Sequence, residues 1–113
     1  MATIPAKQYL KIKARYPDFV NAVELLGKTL KQAGPIDDKT AQLVQLAAAA
    51  SLRSEGAVHS HTKRALHVGA QADEIYHCLM LLTSTIGFPN VMAALAWAED
   101  IIESVSDKQA DEQ

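Results

Sequence analysis

Ser54 to Ile75, SEGAVHSHTKRALHVGAQADEI, is the stretch that decides the fold. It reads as a helix closed by Gly69, a short turn, and a second helix opening near Asp73. Along the first helix Ala57, Val58, His61, Ala65 and Val68 recur at spacings of three and four, so they share one face. That face is apolar except for His61. The opposite stripe, Glu55, His59, Lys63 and His67, is polar throughout and reads as a solvated surface with helical charge pairs. His61 is therefore the one chemically loaded residue on a packing face. His59 and His61 resemble a His-x-His metal pair, but on a helix they point roughly 200° apart and cannot chelate one ion. No metal site is expected.

Working outward, the chain divides into about six helical segments. A first short helix spans Pro5 to Tyr16 and stops before Pro17, because the residue ahead of a proline avoids the helical region. A second runs from Asp18 to Lys31, with Phe19, Val23, Leu26 and Leu30 on one face, and ends at Gly34-Pro35. The third opens at Asp37 or Asp38, either able to cap free backbone N–H groups, and continues through Leu43 and Leu46 to Arg53. The two motif helices follow, the second reaching Thr85. Ile86-Gly87-Phe88 breaks the chain, and Pro89 suits the first turn of a sixth helix ending near Val105. The tail from Ser106 to Gln113 is polar and is expected to be disordered. No segment alternates with strand period and there is no asparagine-glycine hairpin signal, so the fold class is all-α.

Bulk properties set the class of protein. A chain of 113 residues makes one domain, with 49% hydrophobic but only 5% aromatic residues, so its interior is built from Ala, Leu, Val and Ile. A formal charge of −2 provides no basic field for nucleic acid. No run approaches a membrane span, and the N-terminal MATIPAKQYLKIK lacks the apolar core of a signal peptide. A single cysteine, Cys78, allows no intrachain disulfide and suits a cytoplasmic location. The alanine runs at Ala47 to Ala50 and around Trp97 let helices approach closely while burying modest apolar volume. Self-association would supply the missing burial; a compact monomeric bundle is the alternative.

Four pieces in fixed order carry a family resemblance: His61 to Ala65, Gly69-Ala70, Asp73 to Ile75, and Gly87 to Ala93. Together with Asp38 to Ala47 upstream, they resemble the core of the carboxymuconolactone decarboxylase family over roughly residues 36 to 105. The resemblance implies the helical bundle of the alkylhydroperoxidase D-like superfamily, assembled as a trimer or hexamer with sites near subunit contacts. One branch of that superfamily reduces peroxides with a Cys-x-x-Cys pair, a histidine four positions after the second cysteine, and a glutamate twelve before the first. Counted from His61, those positions hold Ser54, Ala57 and Gln42. Thiol redox chemistry needs an attacking thiolate and a resolving sulfur. Neither serine nor alanine supplies one, so only His61 of that relay is present and thiol peroxidase activity is not expected.

The candidate site follows. His61 stands at the family's catalytic histidine position, although a lone histidine on an apolar face is also a common core residue. Arg64 and Lys39 are candidate anion binders, since guanidinium and ammonium groups hold carboxylates, and they compete with a reading as ordinary surface charge. Gln42 and Ser54 could hydrogen-bond a ligand or lie on helix surfaces. Cys78, at helical spacing with Ile75 and Leu82, reads as a small core residue. The resemblance implies a cofactor-free decarboxylation of a carboxylated lactone or similar small anion, with His61 as acid/base. A non-catalytic or divergent member that binds a small ligand or partner is the second reading.

Overall fold

The computed structural model describes residues 3–111, and among these every regular element is a helix. In order they are α1 (Thr3–Arg15), α2 (Pro17–Gln32), α3 (Asp38–Ser51), α4 (Glu55–His67), α5 (Ala72–Met80), α6 (Thr83–Ile86) and α7 (Phe88–Asp111). Local chemistry sets most boundaries. Pro17 opens α2, and the Asp37 carboxylate caps α3 by accepting from the Thr40 N–H at 2.7 Å. Ser54 caps α4 in the same way, accepting from the Ala57 N–H at 3.4 Å. Gly69 and Gly87 take φ of 100° and 90°, a backbone region open to glycine but strained for other residues, and so reverse the chain after α4 and before α7.

Two boundaries differ from the sequence expectation. The helix that opens near Asp73 does not reach Thr85. It ends at Met80, whose carbonyl is taken by the Thr83 hydroxyl at 2.7 Å, and a single separate turn, α6, follows. The last helix does not stop near Val105: Ser106 to Asp111, expected to be disordered, continue it. No glycine or proline follows Pro89 to end the helix. Glu112 and Gln113, the end of that expected tail, lie outside the described residues.

α3, α4 and α7 form the centre, with α4 between the other two. Leu46, Val58, Ala65, Ile75, Leu79, Ala94 and Ala98 are fully buried or nearly so, and Ala49 and Ala50 line the same seam. Alanine at the contacts lets the helix axes come close, where dispersion contacts are dense. Trp97 packs against this core from its edge.

The α1–α2 hairpin stands apart. α2 packs mainly on α1, and α1 touches α4. The apolar face expected on α2 is real but uncovered: Phe19, Val23, Leu26 and Leu30 are between 52% and 62% exposed, and only Val20 is buried. The radius of gyration, 14.7 Å, exceeds the ~13 Å of a compact chain this long, consistent with a projecting arm.

Candidate functional site

α4 positions the chemistry. Being sandwiched, it buries a wide stripe, Val58, His59, Thr62 and Ala65, rather than the narrower face the pattern suggests. Two histidines of α4 point to opposite sides, His59 within that stripe and His61 beside it. His59, expected on a solvated surface, is 7% exposed and turned towards α7, its Nε2 3.4 Å from Asp100 Oδ2. That Nε2 makes no hydrogen bond, and neither does the neighbouring buried Thr62 hydroxyl. The physical reason for the correction is α7, which covers α4 at His59, while Glu55 one turn earlier stays exposed. His67 and Lys63, further round, are exposed as expected.

His61 faces the other way, towards α3, and is half-buried. Its Nδ1 lies 3.0 Å from Oε1 of Gln42, a side chain 1% exposed in the first half of α3. With the amide oxygen facing the ring, Nδ1 donates and Nε2 keeps its lone pair. Burial holds the imidazole below its ordinary value of 6.5, and the charges of Arg64 and Lys31 lower it further. At neutral pH the ring is therefore uncharged, fixed in one tautomer by Gln42, with two cations nearby. This arrangement can take up a proton at Nε2 once an anion offsets those cations, and can then deliver it.

The other candidates divide. Gln42 and Arg64 belong with His61. Lys39 does not act on the ring: its Nζ is 2.9 Å from Oε2 of Glu74, which raises the Lys39 pKa and joins α3 to α5. The Ser54 hydroxyl caps α4, accepting from the Ala57 N–H. Arg53, beyond the end of α3 at φ 56°, donates to the Asn90 side chain and ties α3 to the start of α7. Cys78 donates its thiol to the Leu43 carbonyl at 3.4 Å, and burial pushes its pKa up, which suppresses the thiolate. Lys31 went unnoticed in the sequence. It sits in the last turn of α2, thirty positions before His61, and its charge reaches that ring across the fold. Among the described residues, no group of three or more His, Cys, Asp or Glu side chains is placed to hold a metal, and no helix is long and apolar enough to cross a membrane.

The carboxymuconolactone decarboxylase family model matches residues 17–100, well over half of the chain. The chain belongs to this family. The match starts at the first residue of α2, ahead of residue 36, where the sequence resemblance begins, so the uncovered helix is part of the family unit. An uncharacterised protein of Methanocaldococcus jannaschii is 31% identical over 105 residues, spanning 93% of this chain and 95% of its own length. The crystal structure of a carboxymuconolactone decarboxylase family protein from Legionella pneumophila matches with a TM-score of 0.75, covering 87% of this chain and 88% of that one. At 22% identity that likeness shows the shared fold. In this family member, the positions resembling a redox cysteine pair hold a helix cap, Ser54, and a partly buried alanine, Ala57.

Proposed function

We propose that this family member decarboxylates a carboxylated lactone, or a similar small anion, with His61 as the acid/base and no cofactor. The observation that carries the reading is the His61–Gln42 pair beside Arg64 and Lys31: a neutral, oriented imidazole under a positive field. An anionic substrate would offset that field and raise the His61 pKa, so Nε2 would gain a proton from solvent as the substrate binds. The bond between the ring carbon and its carboxylate then breaks, and its electron pair enters the conjugated lactone as an enolate while CO₂ leaves. His61 Nε2 returns the proton to carbon. The net change is one proton consumed and one CO₂ released. Arg64 and Lys31 stabilise the bound carboxylate and the enolate charge.

Self-association belongs to the same proposal. Phe19, Val23, Leu26 and Leu30 form an exposed apolar row on α2, larger than isolated surface residues account for, and a trimer or hexamer would cover it. The test of function is CO₂ release from carboxylated lactones by the purified protein, His61→Gln and Arg64→Gln. Release that His61→Gln abolishes without unfolding the protein supports the proposal. Release that is equal in both, or anion binding with no turnover, refutes catalysis at His61, and the latter outcome favours the non-catalytic family member.

A further inference from the structure

The chain is electrically polarised along its length. Residues 1–17 hold Lys7, Lys11, Lys13 and Arg15 and no acid, whereas residues 99–111 hold five acids against one lysine. Lys13 is taken by Glu24 inside the α1–α2 hairpin. Lys7 and Lys11 enter no ion pair among the described residues, and with Leu10, 62% exposed, they make the outer face of α1. The counterpart is an open groove of about 440 Å³ between α5 and α7. Across it the Tyr76 hydroxyl donates to Glu99 Oε2 at 3.4 Å. Met80 and Met92, both half-exposed, stand one and two turns along α5 and α7 from that pair and make the groove apolar there. Asp73 and Glu103 lie one turn from the pair on the other side. Burial, then the charge and hydrogen bond of Glu99, then the charges of Glu103 and Asp73, hold the Tyr76 phenol above its ordinary range, so three carboxylates converge on this end.

We infer that this groove receives α1 of a second copy of the chain, with Leu10 between Met80 and Met92 and with Lys7 and Lys11 meeting the Glu99 and Glu103 carboxylates. Charge complementarity selects the occupant. The groove calls for a basic helix with an apolar residue among its cations, and every copy carries one in α1. An acidic segment would be repelled, and a wholly apolar one would cover carboxylates without pairing them. Methionine is unbranched and reshapes around what it meets, which suits a surface that takes in a leucine. The basic face and the groove lie on different parts of the chain, so the contact is head-to-tail and repeats until a ring of copies closes. The inference rests on the self-association proposed through α2, because exposed ion pairs contribute little by themselves. α1 and α2 form one hairpin, so a neighbour that covers the α2 row also has α1 beside it. The α1 contact adds direction and register to that association.

Light scattering of the full chain over a concentration series tests the contact. Lys7→Glu with Lys11→Glu, and separately Glu99→Lys with Glu103→Lys, should each raise the concentration at half-assembly by about tenfold, since attraction becomes repulsion at two positions. All four residues are exposed, so the Tm of the chain should stay near the native value. The variant that combines the four substitutions restores the attraction with its sign exchanged, and its half-assembly concentration should return to within about threefold of native. Lys63→Glu, exposed on α4, controls for net charge and should leave assembly unchanged. Equal assembly in the native protein and both reversed pairs would leave the groove to another basic partner and overturns the inference. So does a combined variant that stays dissociated, or a Lys63→Glu protein that dissociates as readily as the reversed pairs. A native monomer overturns this contact and the α2 contact together. A native oligomer that survives Phe19→Asp with Leu26→Asp, yet shows the charge rescue, overturns the α2 contact alone and supports this one.

Discussion

Replacing Gln42 with glutamate would turn the neutral hydrogen bond at His61 into an ion pair and reverse the pH response of the fold. The amide oxygen lies 3.0 Å from Nδ1, and the Gln42 side chain is almost wholly buried. A carboxylate at that distance favours the imidazolium and moves a histidine pKa up by about 1–3 pH units. Each pH unit corresponds to about 1.4 kcal/mol between the two protonation states, so the pair is worth about 1.4–4 kcal/mol more with the ring charged. Against this stands the cost of burying the carboxylate, several kcal/mol where no cation meets it. Gln42→Glu should therefore be less stable than the native protein at alkaline pH and recover as the ring takes up a proton.

The two proteins should respond to pH with opposite sign. In the native protein the folded-state value of His61 lies below the ordinary 6.5. The unfolded chain then binds more protons as pH drops below 6.5, and stability falls on acidification through that window. In Gln42→Glu the folded value lies above the ordinary one. Its contribution is complete below 6.5 and is lost as pH rises through the new folded value. Urea unfolding between about pH 5 and pH 9 reads the stability, and NMR titration of the His61 ring reads the proton. The introduced carboxylate and the ring titrate as a coupled pair, so the apparent values belong to both. An His61 titration unchanged by the substitution would show that Gln42 is not its partner, and the proposed tautomer control would fall with it.

Ser54→Ala should cost about 0.5–2 kcal/mol through loss of the α4 cap, read as a lower Tm, with any anion binding unchanged; weakened binding at unchanged Tm would restore Ser54 to the site. His59→Ala should destabilise by about 2 kcal/mol or more, because it empties part of the α4–α7 seam, while the His61 titration stays in place. A neutral His59→Ala would mean that this ring is solvated after all. The mass by light scattering should exceed 12.2 kDa by a whole multiple at micromolar concentration, and Phe19→Asp with Leu26→Asp should return it to a single chain; a native monomer would refute assembly through α2. Peroxide consumption with a dithiol should stay at background, since the Cys78 thiol is half-buried and bonded to a carbonyl; turnover that vanishes in Cys78→Ser would contradict this.

What the sequence made legible was local. The cap of α3 at Asp37, the reversal at Gly69 and the amphipathic face of α2 all depend on residues within a few positions of one another, and each stands where the pattern put it. What it hid depends on how many neighbours an element has. Glu55, His59, Lys63 and His67 form a correct helical stripe, yet His59 is buried because α7 covers it. The α2 face is correctly apolar, yet no spacing rule says that a single chain leaves it open. Lys31 lies 30 positions from His61 and Gln42 pairs with it across 19, separations that carry no periodic signal. The family resemblance pointed to Gln42 where periodicity could not.

The two helices packed on α4 give its closely spaced histidines different environments. Two residues along a helix turn the side chain through roughly 200°, so a helix packed on both sides sends His59 to one neighbour and His61 to the other. Towards α7 the ring meets a carboxylate that is itself mostly solvated and accepts no hydrogen bond from it. Towards α3 the ring meets a buried amide that fixes its tautomer, and burial, with the nearby cations adding to it, keeps it neutral. Interior packing alone needs neither the amide nor the cations: a leucine in place of His61 would fill the α3–α4 seam without stranding a polar atom. A buried ring N–H needs an acceptor in either role, but a half-buried ring with a free Nε2 beside cations also suits an acid/base group, and that is the ground on which we propose the chemistry at His61 rather than His59.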